Sequence, residues 1–254
     1  MNYFVLLKMV PDTVEELEVS ADNKSLNSEF LRFKLNDPDE HALEQALLLK
    51  EKFGGTVTAV AFEAPEVDEV LFTAVAKGAD KAVKLAGDFS NVRGPACAQI
   101  VASYLKPLPA DAVILVQCQA IDDLEGEIGV YLADMLQLPY VGLVAGVAIE
   151  AGGLTVTKEF AGGMRGEFSV GLPAVLGIQA AEKPPRYVPV AKVRAVMKTA
   201  KIETVDVTPP ETPGVLAVEK MYKPEVAGRA EMIEGSPEEV AGKIVAILAE
   251  RGLV

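Results

Sequence analysis

The chain has 254 residues, half of them hydrophobic, and a formal net charge of −13. That length can bury a sizeable core without disulfide or metal staples, and the acidic balance argues against a nucleic-acid backbone as partner, since such binding works by releasing counterions through clustered Lys and Arg. Cys97 and Cys118 lie far apart with no metal-ligand spacing and read as buried small hydrophobes in a reducing compartment. The apolar run over residues 3–7 lacks a basic flank and is too short for a signal peptide or a membrane span. The expectation is a cytoplasmic chain with no direct membrane insertion, whose partners are proteins and small molecules.

Apolar runs at residues 3–8, 56–62, 81–85 and 112–116 alternate with helical patterns, the signature of an α/β fold with a doubly wound, mostly parallel sheet. The first helix is expected over residues 38–53. Asp37 can cap it, Pro38 suits the first turn and Glu40 completes a capping box. Leu43, Ala46, Leu47 and Lys50 trace one face, and Gly54-Gly55 stops it. Further helices are expected over 65–77, ending at Gly78, and over 94–105, before Pro107 and Pro109. The run at 112–116 is apolar throughout, as a central strand covered on both faces must be.

Beyond the next helix the pattern changes to consecutive strands at 140–150, 154–160, 166–170 and 174–179, a β-rich extension of the same sheet. A proline-bearing break at 183–189 leads to a short basic helical pattern at 191–201. The tail from 208 to 235 is proline-bearing and poor in apolar runs. Ser236-Pro237-Glu238-Glu239 then opens a final helix with Val240, Ile244, Ile247 and Leu248 on one side. This divides the chain into an α/β body, residues 1–207, and an arm plus helix, residues 208–254, laid against a partner.

Little here suits catalysis. His41 is the single histidine, placed within the first helix, and no nucleophile-elbow, zincin or Walker signature occurs. The junction of interest is Gln119 to Gly129, which leaves a buried strand and turns into a helix, because ligands of open parallel sheets collect at the strands' carboxyl ends, where helix N-termini present N–H groups. Gly126 and Gly129 would let backbone approach an anion. Glu125 and Glu127 carry the wrong charge for a phosphate neighbour unless they point away, and no Lys or Arg lies in the stretch. Asp122 and Asp123, being adjacent, are expected to diverge and to accept backbone N–H bonds or a ligand hydroxyl rather than act as an acid/base pair.

Six ordered segments resemble the β subunit of electron transfer flavoproteins: Val5-Leu6-Leu7-Lys8-Met9-Val10-Pro11-Asp12, Leu35 to Glu44, Ala76 to Ala82, Gln119-Ala120-Ile121-Asp122-Asp123, Leu172-Pro173-Ala174-Val175 and Pro185-Arg186-Tyr187. The resemblance covers nearly the whole chain. It implies a non-catalytic half of a heterodimer that carries electrons from flavin dehydrogenases, such as an acyl-CoA dehydrogenase, to a downstream acceptor such as an electron transfer flavoprotein–quinone oxidoreductase. The α subunit would hold most of the redox FAD, and the β subunit would shelter its isoalloxazine and bury AMP.

By position, the resemblance puts adenine-side contacts on Leu6, Asn36, Asp37, Pro38, Asp39 and Phe62. It puts the phosphate loop on Gln117, Cys118, Gln119, Ala120, Ile121, Asp122, Asp123, Leu124, Glu125, Gly126, Glu127 and Ile128. It also implies a dehydrogenase-docking loop at 188–198. There Val188, Val190 and Val193 give an apolar tip, with Val190 nearest the family's aliphatic anchor, while Lys192, Arg194 and Lys198 give steering charge.

Some positions depart from the family. Gly126-Glu127-Ile128-Gly129 stands where AMP-binding members have Asn-Gln-Thr-Gly, so the phosphate-bonding hydroxyl is missing. Electron-bifurcating members, which hold a second FAD here and are linked to NADH, have an aliphatic residue at the Ile128 position, but after a Gly-Asp-Thr-Ala-Gln run that this chain lacks. Asn36-Asp37-Pro38-Asp39 also shifts the family's proline by one place. AMP and a second FAD therefore both stand as readings of the loop, with a stand-alone nucleotide-binding module as a third.

Overall fold

The computed structural model describes all residues except 30, 90–91, 125, 151, 211–216, 225–227 and 229. The elements in chain order are β1 (Asn2–Leu7), β2 (Met9–Pro11), β3 (Phe33–Leu35), α1 (Asp37–Phe53), β4 (Thr56–Phe62), α2 (Val67–Lys77), β5 (Lys81–Ala86), α3 (Gly94–Tyr104) and β6 (Ala112–Gln117). They continue with α4 (Ile128–Leu136), β7 (Tyr140–Glu150), β8 (Gly153–Glu159), β9 (Arg165–Val170), β10 (Ala174–Ile178), α5 (Val190–Met197), β11 (Glu203–Asp206) and α6 (Pro237–Glu250).

Among the described residues one sheet runs β11-β5-β4-β1-β6-β10-β7-β8-β9, parallel from β11 to β7 and antiparallel across β8 and β9. The central strands are apolar throughout because their two faces feed two cores. Tyr3, Val5 and Leu7 of β1, with Val113 and Leu115 of β6, pack on the side of α1 and α2. Leu6, Ile114 and Val116 pack on the other side, with Ile100 and Leu105 around α3 and Leu132 of α4. Period-two alternation with both faces buried leaves no polar position to spare.

The β-rich extension exists, and its spatial order differs from its order along the chain. β7, β8 and β9 form an antiparallel edge, while β10 slots between β6 and β7, parallel to both. Burial explains the choice. All five residues of β10 are buried and need cover on both faces, whereas β9 is mostly exposed and can tolerate an edge. β11, a short far-edge strand paired with β5, was not anticipated, since only Val205 in it is even half-buried.

Residues 181–186 run as a strap over α1. His41 Nδ1 accepts the Ala181 N–H (3.2 Å), Gln45 Oε1 accepts that of Glu182 (3.1 Å), and Glu44 Oε2 accepts that of Arg186 (3.0 Å). Positions 41, 44 and 45 share one helix face. Arg186 also grips the buried Glu44 carboxylate through Nε (2.9 Å) and Nη2 (2.8 Å) and reaches Glu51 (2.6 Å). The strap delivers α5 onto α2. His41 is therefore a structural acceptor.

α6 opens as its sequence dictates: Ser236 Oγ accepts the Glu239 N–H (3.3 Å) and Glu239 Oε2 accepts the Ser236 N–H (2.8 Å), a complete capping box. None of its residues is buried, so its apolar side, including Ile244 and Ile247, meets water on this chain. No helix among the described residues is long and apolar enough to cross a membrane.

Removing Arg186 would strand the Glu44 carboxylate, which is 4% exposed. Arg186→Ala should cost about 2–3 kcal/mol and lower the thermal midpoint by about 5–10 °C. Calorimetry checks this, and an unchanged midpoint would remove the strap from the stability account.

Candidate functional site

The carboxyl ends of β1, β4, β6 and β10 lie along one edge, where the chain after β6 forms a tight loop before α4. The Cys118 N–H donates to Ile178 O (3.2 Å), tying the loop's start to β10. The Leu124 N–H returns to Ala120 O (2.8 Å), and Gln119 Nε2 donates to Leu124 O (2.7 Å). These bonds hold Leu124 at φ +59°, left-handed and unusual for a leucine. Gly126, at φ +64°, packs so closely that a Cβ there would collide with the Cys118 carbonyl. Glycine is thus obligatory for closing the loop. Gly129 serves packing instead of anion approach: a Cβ on it would come 2.7 Å from the Tyr140 ring and 2.8 Å from Val116.

The loop is locked from outside by Asn36. Its Nδ2 donates to Asp39 Oδ2 (2.9 Å) and to Gln119 O (3.1 Å), while its Oδ1 accepts the Ile121 N–H (3.3 Å). Asn36 stands at the N-cap of α1 without capping it, because its side chain is spent on the loop. The expected cap does not form either. Asp37 already lies inside the helix, exposed and paired with Lys34 (3.3 Å).

Lys8, just past β1, adds a second lock, its Nζ reaching Asp122 Oδ1 (2.7 Å) and Asp123 Oδ2 (2.6 Å). The two carboxylates thus converge instead of diverging, since the turn over 121–123 points both at one ammonium. Burial works against that ammonium's charge, but the hydrogen bonds and charges of Asp122 and Asp123 outweigh it and hold Lys8 above its ordinary value.

Asp39 is fully buried, and burial pushes its carboxyl up to about 8 against the pull of the Asn36 amide, the Lys8 backbone N–H and the Lys8 charge. Among the described residues its Oδ1 has no hydrogen-bond partner, and neither has Oε1 of Gln117, 5% exposed at the end of β6. Each such buried polar atom calls for a ligand or water. Burial raises both thiols, Cys97 to about 11, and both are half-buried neutral groups. The charges of Lys8 and Asp123 act on Cys97 as well, in opposite senses.

The remaining sequence-derived positions separate by environment. Leu6 is buried in the α3/α4 core, while Phe62 and Pro38 are half-buried, Phe62 edge-to-face with Phe89 at 4.9 Å. Ala120 is buried; Ile121 and Leu124 project outward, 45% and 65% exposed. Glu127 turns toward the start of α3, its Oε2 3.6 Å from where a Cβ on Gly94 would stand, so its charge faces a helix N-terminus. Ile128 is half-buried and opens α4, whose N-cap residue Glu127 makes no side-chain cap hydrogen bond. Glu125 lies outside the described residues. At the other end of the strap Val190 is 61% exposed on the first turn of α5, Arg194 is exposed, and Val188 and Val193 are half-buried. Sequence reasoning missed the use of Lys8 and of Glu44. Both stood inside the resembling segments, and their partners lie more than a hundred residues away.

The family model of the electron transfer flavoprotein domain matches residues 28–210. The chain belongs to the electron transfer flavoprotein family. Its relatives include electron transfer flavoprotein subunit beta of Methylophilus methylotrophus, 29% identical with 98% of each chain covered, and that of Clostridium acetobutylicum, 31% identical, again with 98% of each covered. Caffeyl-CoA reductase-Etf complex subunit CarD of Acetobacterium woodii is 29% identical over the full length of both chains. The chain is thus of the electron transfer flavoprotein beta type, an electron-transfer subunit rather than an enzyme in the ordinary sense.

The Asp39 carboxyl keeps its proton in the folded state up to about pH 8, but only to about pH 4 when unfolded. Between those values the native state holds the extra proton, so stability falls as pH rises and levels off above 8. Asp39→Asn should remove that contribution and be more stable than wild type at about pH 8. Thermal midpoints across the range check this, and identical slopes for the two proteins would contradict it.

Proposed function

We propose that this chain is the beta subunit of a heterodimeric electron transfer flavoprotein that binds AMP at the loop after β6 and shelters the FAD held mainly by the alpha subunit. The observations that carry the nucleotide reading are the helix start after β6, whose N-cap residue Glu127 makes no side-chain cap hydrogen bond, and two buried polar atoms with no partner among the described residues, Gln117 Oε1 at the end of β6 and Asp39 Oδ1 in the first turn of α1. A nucleotide fits this chemistry. The main-chain N–H groups at the start of α4 suit a phosphate, Glu127 is turned away toward α3, and the orphaned amide and carboxyl suit the polar edge of a base or a ribose hydroxyl. Since Ile128 offers no hydroxyl, the phosphate would rest on backbone alone.

A bound flavin supplies the electron chemistry, and the protein supplies position. The loop from Gln119 to Ile128, held by Asn36 and Lys8, orients the nucleotide. The arm of residues 208–254, with the water-facing apolar side of α6, is offered to the alpha subunit. The exposed Val190, backed by Arg194, suits docking of a flavin dehydrogenase such as an acyl-CoA dehydrogenase, before delivery to an acceptor such as a quinone oxidoreductase. The setting is cytoplasmic. A second FAD in place of AMP, in an NADH-linked bifurcating form, is the other reading, favoured by the aliphatic Ile128 and by the likeness to a subunit of a caffeyl-CoA reductase complex.

The test is to co-express the chain with its alpha subunit, purify the pair, denature it and quantify what is released. One FAD and one AMP per heterodimer are expected. Two flavins without AMP would replace the first reading with the second, and the absence of any nucleotide besides the alpha-bound FAD would overturn both.

A further inference from the structure

Asp39 is the feature of the site that nucleotide binding alone does not explain. A carboxyl with no exposure is costly as an anion, and the surroundings of Asp39 hold few donors to offset the cost. Asn36 Nδ2 gives one hydrogen to its Oδ2 and the other to Gln119 O, and the Lys8 backbone N–H is the other donor that pulls on the carboxyl. The Lys8 ammonium is already committed to Asp122 and Asp123. Asp122 adds negative charge nearby. As a neutral acid, in contrast, Asp39 accepts from Asn36 at Oδ2 and carries its O–H at Oδ1, the atom without a partner.

We propose that Asp39 is a positioning residue whose neutral acid form fixes the Asn36 amide and through it the loop at Gln119 and Ile121, so that the site releases its nucleotide when Asp39 gives up its proton. The inference rests on the nucleotide reading of that loop. An ionised Asp39 would draw either the Asn36 amide from Gln119 O or the Lys8 ammonium from the paired carboxylates, and each move unlocks one of the two fastenings of the loop. It would also lose the O–H available to a ligand acceptor.

The neighbouring groups leave a clear window for this titration. Facing Asp39 from the other elements are Lys8 after β1, Asp122 in the loop and Cys118 after β6. Asp123 and, at the start of α3, Cys97 complete the cluster around Lys8. On its own helix, Asp37 pairs with Lys34, Glu40 with Lys77 and His41 with the strap. Lys8 is held above its ordinary value and stays charged, and burial raises both thiols, so they stay neutral well past the carboxyl's own value of about 8.

The experiment titrates AMP, and in parallel FAD, into the heterodimer stripped of the beta-site nucleotide, by calorimetry at about pH 7 and about pH 9, where the AMP phosphate keeps one charge state. Wild-type affinity should fall about tenfold between the two. Asp39→Asn, which keeps an acceptor for Asn36 and a donor in place of the O–H, should lose the pH dependence and bind at about pH 9 as wild type does at about pH 7. An equal fall in the variant, or none in wild type, would overturn the inference while leaving the nucleotide reading intact. If neither AMP nor FAD binds at any pH, the nucleotide reading fails. The positioning role is then decided without ligand by amide exchange of Ile121 at about pH 9, corrected for the intrinsic rate. Slower exchange in Asp39→Asn than in wild type supports the role, and equal exchange overturns it.

Discussion

The side chain of Asn36 joins three parts of the chain that share no covalent neighbourhood: the entrance of α1, the buried Asp39 and the loop that follows β6. Its amide has a donor half and an acceptor half, and both are used, the donor on Asp39 and Gln119 O, the acceptor on the Ile121 N–H. A loop of this kind would otherwise pay for its own ordering when a ligand arrives. Here the ordering is done by packing and hydrogen bonds in the free chain, with Gly126 closing the turn and Lys8 drawing Asp122 and Asp123 together.

The rest of the fold serves that edge. The parallel strands bury both faces, so the polar backbone and side chains needed for recognition can emerge only at the strand ends, and the carboxyl ends are where α1, α3 and α4 begin. Gly129 lets α4 lie close on Val116 and Tyr140 and so fixes where its N-terminus points. On the opposite flank of α1, the helix face of His41, Glu44 and Gln45 binds the strap that carries α5 and its exposed Val190. One helix therefore fastens both the nucleotide loop and the segment suited to docking, at its first turn and along the turns that follow.

What could be read in the sequence was what local chemistry determines. The central strands announced themselves by unbroken apolar character, α6 by its capping box, and the loop by a strand turning into a helix through Gly126. The misreadings have a common cause in contacts distant along the chain. Asp37 looked like a cap because the competing use of Asn36 depends on Gln119 and Ile121, more than eighty residues away. Asp122 and Asp123 looked divergent because nothing nearby shows that Lys8 waits for both. The place of β10 between β6 and β7 could not be read at all, since periodicity records burial but not which neighbour supplies it. β11, with one half-buried residue, carried no pattern to detect.

The central claim is that the loop is ordered by this chain before any nucleotide arrives. Hydrogen exchange of the Ile121 and Leu124 amides in the heterodimer stripped of its beta-site nucleotide tests it most directly. The account predicts protection of about a hundredfold or more over the unprotected rate, lost at Ile121 in Asn36→Ala while the β6 amides stay protected. Exchange of both amides at the unprotected rate until nucleotide is added would contradict it.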